Sequence, residues 1–393
     1  MFTVIASLFI CSVTIQLLYA GLFAVAKKKR GRQEGRNQLL PVSVIICAKN
    51  EAENLERFLP LVLEQDYPDS LYEVLVVNDG STDATGALLS RLQQEYGHLN
   101  VLTLPADTEK DLPGKKFALA KGIEAARHER LLLTDADCGP SSPQWLKYMT
   151  GSDKDIVLGY GAYKAGPGIL NKFIRWETAH TCMQYASYAR RGKPYMGVGR
   201  NLSYKKSLVN ALENDEGFKA VYRHTPSGDD DLLISKLVNT ATVDLCLDPE
   251  AHTISEPEQT WKSWWKQKTR HISTGKYYPA AVKYSLGVYA LSHGIFWLSS
   301  IILIAGALFS DPTGSFSIWH LDGCLVQPDI FTISLMVLFV FRTAIYWIIA
   351  AAWYRLLQEK KMLLFFPAGD LGWALYHVFL SPYIFWKNKR SWK

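Results

Sequence analysis

Two carboxylates one residue apart, Asp135 and Asp137, follow the apolar run Leu131-Leu132-Leu133. That run reads as a short buried strand. A strand ending in two carboxylates delivers their oxygens to the carboxyl edge of a sheet, where open α/β folds bind ligands. Hard cations such as Mg²⁺ and Mn²⁺ take oxygen ligands and bridge carboxylates to phosphates. The pair therefore points to a metal–diphosphate site; a solvated turn or a helix cap is the alternative. A second acidic cluster, Asp229-Asp230-Asp231, precedes Leu232, Leu233 and Leu237. Three adjacent like charges are costly unless they cap that helix, face solvent or do proton-transfer chemistry.

An alternating pattern between residues 41 and 257 must position these groups. Residues 42–47 form a β-branched strand, and 51–64 carry helical apolar spacing at Leu55, Phe58, Leu59 and Val62. Residues 72–78 form a second strand, and 83–96 a helix capped by Ser81 or Thr82. A third strand at 101–104, a helix at 115–126 and a fourth strand at 130–134 follow. Strand–helix alternation with short connections predicts an α/β fold, a parallel sheet with helices on both faces. Its carboxyl edge would carry Lys49-Asn50-Glu51, Asp79-Gly80-Ser81 and Asp135-Ala136-Asp137.

The ordered set Ile45-Ile46-Cys47-Ala48-Lys49-Asn50-Glu51, Val76-Val77-Asn78-Asp79-Gly80-Ser81, Gly114-Lys115-Lys116, Thr134-Asp135-Ala136-Asp137 and Gly228-Asp229-Asp230-Asp231-Leu232-Leu233 resembles the family 2 glycosyltransferases. With a looser match at Gln267-Lys268-Thr269-Arg270-His271, the likeness spans roughly residues 42–275. The resemblance implies the GT-A fold, a Rossmann-like mixed sheet with helices on both faces. The layout is similar to ceramide glucosyltransferase and to hyaluronan and cellulose synthases. It implies donor binding by Ala48, Lys49, Glu51 and Asp79 around the nucleoside, and by Lys115 near the diphosphate. Asp135 would touch ribose or metal, and Asp137 would ligate Mg²⁺ or Mn²⁺. The family's acid–Asp–any–any–Leu pattern makes Asp230 the general base, with Asp229 as second choice. Gln267 and Arg270 match the family's Gln-x-x-Arg-Trp, where His271 replaces the tryptophan. Gly197, Gly199 and Arg200 fall in the acceptor-facing loop; Arg200 could instead pair with an aspartate. The missing tryptophan favours one transfer to a lipid or lipid-linked acceptor from a nucleotide-sugar, over a processive polysaccharide synthase or a non-catalytic scaffold.

The 393 residues are 48% hydrophobic and 12% aromatic, with twelve Trp, and the apolar residues gather at both ends. Residues 1–26 carry no charge and are long enough to span a bilayer, which takes about 20 residues. The basic cluster of the linker 27–40 follows the apolar stretch, so this reads as an uncleaved anchor with Lys27–Arg32 on the cytoplasmic side. The catalytic domain, 41–257, then lies on the cytoplasmic face of a membrane, read as a bacterial inner membrane. Residues 258–285 read as an amphipathic interfacial region, and 286–386 as two spans plus a third span or re-entrant pair. In the last segment Pro367, Gly369 and Gly372 interrupt a straight span, and Asp370 must face protein or water. A basic tail, 387–393, is expected inside, and the loop 310–328, free of Lys and Arg, outside. The net charge of +6 reflects basic residues at membrane boundaries, with no nucleic-acid motif. Six cysteines without close pairs or metal spacing read as reduced thiols.

Overall fold

The computed structural model describes residues 2–24, 39–225, 227–228, 230–309 and 330–380. Ten strands run in chain order: β1 (Val42–Ala48), β2 (Tyr72–Asp79), β3 (Leu99–Leu104), β4 (Arg130–Asp135), β5 (Cys138–Pro140), β6 (Ile156–Leu158), β7 (Gly161–Tyr163), β8 (Leu202–Lys205), β9 (Val243–Leu245) and β10 (Thr253–Ser255). Seven form the main sheet, in the order β3-β2-β1-β4-β8-β6-β9; β5, β10 and β7 make a small second sheet. The first four strands of the main sheet are parallel, while β8 runs antiparallel to β4 and β6.

Every residue of β1 and β2 is buried, as expected of parallel strands covered on both faces. Alternate side chains serve the two layers. Val44, Ile46 and Val76 pack with Leu55, Leu59 and Leu89 of helices Ala52–Leu63 and Thr85–Glu95. Ile45, Cys47 and Val77 face Phe117, Leu119 and Ile123 of helix Lys116–Ala125. Register sets the functional edge: Ala48 lies opposite Asn78, and Cys47 opposite Asp135. The strand ends that carry the polar clusters therefore lie side by side.

The predicted cap of the second helix is different. The helix begins at Thr85, and its backbone N–H donates to Asp83 Oδ1 at 3.0 Å. Ser81 and Thr82 are used elsewhere. Asn50, in the left-handed region at φ 55°, donates its N–H to Ser81 Oγ and accepts from the Thr82 N–H at 2.8 Å. The loop after β1 is thus tied to the loop after β2, which consumes the hydroxyl expected to cap.

Among the described residues, three helices are long and apolar enough to cross a membrane: Phe2–Phe23, Ala280–Gly306 and Ile330–Leu356. The first packs against the other two. Phe366–Leu380 follows as a 15-residue helix, and Gly369 lets it approach the helix Gly168–Arg190, since a Cβ there would sit 2.4 Å from Trp176. Asp370 faces protein: Arg342 and the Trp297 indole N–H both donate to it, and Arg342 Nη2 also donates to Gln16 Oε1 at 2.8 Å. These links join the four described apolar helices, and Gln16, Arg342 and Asp370 are fully buried, where exposure to lipid would be expensive. The expected outside loop, the basic tail, Cys324 and the close of the last segment lie outside the described residues.

Candidate active site

At the carboxyl edge, the ammonium of Lys115, the residue before helix Lys116–Ala125, is hydrogen-bonded to Asp135 Oδ1. Burial alone would raise the Asp135 pKa. Lys115, with Arg200 and Arg270 further off, outweighs it and holds the carboxyl below its ordinary value. Asp137 behaves oppositely. It is exposed at the strand edge, yet loss of surrounding water and the carboxylates of Asp135 and Glu51 push its pKa up to about 6. Asp135, Asp137, Glu51, Lys115, Arg200 and Arg270 thus lie within one another's electrostatic reach, although they come from five separate stretches of chain.

The second acidic cluster is tied to the loop that carries Arg200. Asp230 occupies the N-cap of helix Asp231–Leu237 and accepts from the Asp231 N–H at 2.8 Å. Its other oxygen accepts from the Gly199 N–H at 2.7 Å, beside Arg200. Asp231 is buried and accepts from Thr274 Oγ1 and from the Tyr278 hydroxyl, each at 2.9 Å. Gly228, at φ 80°, lets the loop lie against Thr274, whose Cγ2 would be 2.4 Å from any added Cβ. Asp229 lies outside the described residues.

Residues 43–210 match the model of "Glycosyl transferase family 2". The chain carries a family 2 glycosyltransferase domain. The probable glycosyltransferase YdaM of Bacillus subtilis (strain 168) is 27% identical over 254 residues, 62% of this chain and 57% of that protein. The beta-monoglucosyldiacylglycerol synthase of Nostoc sp. is 32% identical over 166 residues, 42% of this chain and 34% of that one. The chain thus spans between a third and three-fifths of the length of these relatives. Among solved structures, the mannosyltransferase PcManGT of Pyrobaculum calidifontis, in complex with GDP-Man and Mn²⁺, superposes with a TM-score of 0.54 at 17% identity, covering 94% of this chain and 99% of that one. That likeness shows the GT-A fold.

Of the residues expected to bind the donor, Ala48 is buried at the end of β1, and Lys49 is half-buried beside it. Glu51 is buried and accepts from Asn54 Nδ2 at 2.6 Å. Asp79 is 1% exposed, and both its oxygens accept from Lys110, at 2.5 and 2.6 Å. Lys110 was not evident beforehand: it sits in a loop between β3 and the next helix, with no periodic or motif signal. Lys116, the next residue after Lys115, is buried. It donates to the Tyr222 and Thr225 carbonyls at 3.1 and 2.8 Å, and its cationic head lies over the Tyr222 ring.

Of the residues expected to face the acceptor, Gly197 packs closely on Leu202 and Ile234. Arg200 donates to the Tyr163 hydroxyl at 3.0 Å and to the Gly161 carbonyl at 2.6 Å, so its hydrogen bonds go to these groups and not to an aspartate. Gln267 and Arg270 sit on helix Trp261–Ile272, which Thr260 caps by accepting from the Ser263 N–H. His271 follows. Desolvation and the nearby cations Arg270, Lys268 and Arg200 hold its pKa well below the ordinary value, so it stays neutral.

The donor set fits a divalent cation. It is all oxygen, as Mg²⁺ and Mn²⁺ prefer. The upward push on Asp137 from Asp135 and Glu51 is crowded negative charge that a cation would relieve. Among the described residues no three metal-ligating side chains form a complete cluster, so phosphate and water oxygens would complete the shell.

Proposed function

We propose that the protein is a membrane-bound, metal-dependent, inverting glycosyltransferase. It moves a single sugar from a nucleotide-sugar, in the first instance a UDP-sugar, to a lipid or lipid-linked acceptor. The catalytic domain faces the cytoplasm, at a bacterial inner membrane. The observation that supports this reading is the pairing of Asp135 with Lys115 beside Asp137, within electrostatic reach of Arg200, in a chain with three bilayer-length apolar helices among its described residues.

In this reading Ala48, Lys49, Glu51 and Asp79 line the nucleoside, and Lys115, Gln267 and Arg270 hold the donor's diphosphate end. Mg²⁺ or Mn²⁺, held by Asp137 and Asp135, would offset charge on the departing diphosphate. Asp230 takes the proton of the acceptor hydroxyl as it attacks the anomeric carbon. One displacement inverts that carbon, giving a β-linked product from an α-linked donor. Gly197, Gly199 and Arg200 border the acceptor. A neutral His271, where the family's processive members carry tryptophan, supports a single transfer.

Incubating membranes that contain the chain with labelled UDP-sugars tests the reading. A discrete organic-extractable glycolipid is expected. A long labelled polymer would support the processive alternative, and no product with any nucleotide-sugar would refute transfer. Protease access to the domain only in inside-out vesicles would support the orientation; access only in right-side-out vesicles would reverse it.

A further inference from the structure

Helix Trp261–Ile272 must present Gln267 and Arg270 in one direction, and three residues apart they share a face. Trp264 and Lys268, four residues apart, share a different face, and both are buried. Trp264 packs edge-on against Phe173, 5.6 Å between ring centroids, and lies 6.2 Å from Tyr376. Lys268 reaches the same helix that carries Phe173, Gly168–Arg190, where its ammonium lies 2.5 Å from Glu177 Oε2. Both side chains of this pair are almost fully withdrawn from water, at 11% and 4% exposure. Two turns of one helix are therefore pinned by an aromatic contact and a buried charge pair. That pinning sets which way the opposite face looks. Arg270, on that face, sits beside the loop of the second acidic cluster, where Ser227 Oγ donates to its carbonyl at 3.3 Å.

Glu177 also lies half a turn from Arg175, which is paired with Glu359 in the turn after the membrane helix Ile330–Leu356. One helix thus holds the diphosphate-side helix with one carboxylate and a membrane turn with a guanidinium. A buried pair adds little net stability over an apolar replacement, because desolvation offsets its attraction. Its value lies in specifying one rotational setting of the helix it grips.

We infer that Glu177 is a positioning residue that acts through Lys268 to aim Arg270 at the diphosphate of the donor. This rests on the donor-site reading above. The test is binding of UDP or GDP, whichever the wild-type chain binds, to the detergent-purified full chain with Mn²⁺. Arg270→Ala should weaken binding about 10–100-fold, the range for a charge-assisted contact. Glu177→Gln and Lys268→Met should each weaken it by a comparable factor. In the Arg270→Ala background, Glu177→Gln should cost nothing further, because residues acting in series are not additive. Lys268→Arg should keep near-wild-type affinity, and the exchange Glu177→Lys with Lys268→Glu should recover most of it. If Glu177→Gln does not fold, Glu177→Asp, which shortens the arm and keeps the charge, carries the same expectation.

A loss from Glu177→Gln that multiplies in full with that of Arg270→Ala would show an ordinary packing role and overturn the inference alone. So would wild-type affinity in Glu177→Gln. Unchanged binding in Arg270→Ala, or no binding of either nucleotide by the wild type, would overturn the donor-site reading itself and this inference with it.

Discussion

The carboxylate of Asp230 accepts a 2.7 Å hydrogen bond from the backbone N–H of Gly199. One contact therefore ties the second acidic cluster to the glycine loop, and Arg200, the next residue, reaches electrostatically to Asp135 and Asp137. The two acidic clusters, almost a hundred residues apart, are thus linked through the Gly199–Arg200 segment.

Asp230 caps its helix and is the proposed general base, and Asp230→Asn distinguishes the two duties. An amide keeps one oxygen for a backbone N–H, loses the acceptor for the other and cannot take a proton. Nucleotide affinity should hold and the unfolding midpoint should fall only by the worth of one hydrogen bond, about 0.5–1.5 kcal/mol, while turnover falls on the order of 10²–10⁴-fold. Unchanged turnover, with Asp230→Ala showing only a cap-sized loss of about 0.5–2 kcal/mol, would reduce Asp230 to a cap.

Metal removal should silence the enzyme. Excess chelator is expected to abolish transfer, and added Mg²⁺ or Mn²⁺ to restore it. Asp137→Ala should lose transfer without rescue at ordinary metal concentrations, because the cation loses its carboxylate. Turnover that persists in chelator, measured on metal-stripped protein, would contradict the role given to Asp137.

Gly228→Ala should be destabilising. The substitution meets Thr274 Cγ2 at 2.4 Å and occupies φ 80°. Left-handed backbone costs about 1–2 kcal/mol for an L-residue, and overpacking adds about 1–3 kcal/mol. A fall in the thermal midpoint with loss of transfer is expected. Wild-type behaviour would mean that the loop does not sit against Thr274.

Asp155 gives a pH signature away from the cleft. Hydrogen bonds from Lys205 and Thr242 hold its carboxyl well below the usual range. Its folded value is depressed, so the stability it contributes is present above the unfolded value, about 4, and is lost as pH falls through the folded value. Asp155→Asn should therefore lower stability by about 1–3 kcal/mol at neutral pH. The gap from wild type should narrow progressively below about pH 4. Thermal midpoints across that range check it, and a gap that widens on acidification would contradict the assignment.

The parallel half of the sheet was legible because buried parallel strands carry near-continuous apolar runs, as at residues 44–48 and 74–77. The strands beyond β4 were not, because three-residue pieces such as Ile156–Leu158 and Val243–Leu245 are too short to show a period. Asp135, Asp137 and Lys115 could be named from strand ends and ordered motifs. Lys110 on Asp79, the burial of Lys116 and the Glu177–Lys268 pair could not, since each depends on where a loop or a distant helix comes to rest. The capping hydroxyls of Ser81 and Thr82 misled for a related reason: a left-handed Asn50, far off in sequence, competes for them.

The central claim is that the cleft around Asp135 and Asp137 transfers sugar to a lipid. The most direct measurement gives purified wild-type and Asp137→Ala chains a labelled nucleotide-sugar, an extract of membrane lipid and Mn²⁺, then counts label in the organic phase. The account predicts a discrete labelled lipid from wild type, lost in chelator and absent from Asp137→Ala. Equal labelled lipid from both chains, or label found only in a water-soluble polymer, would contradict it.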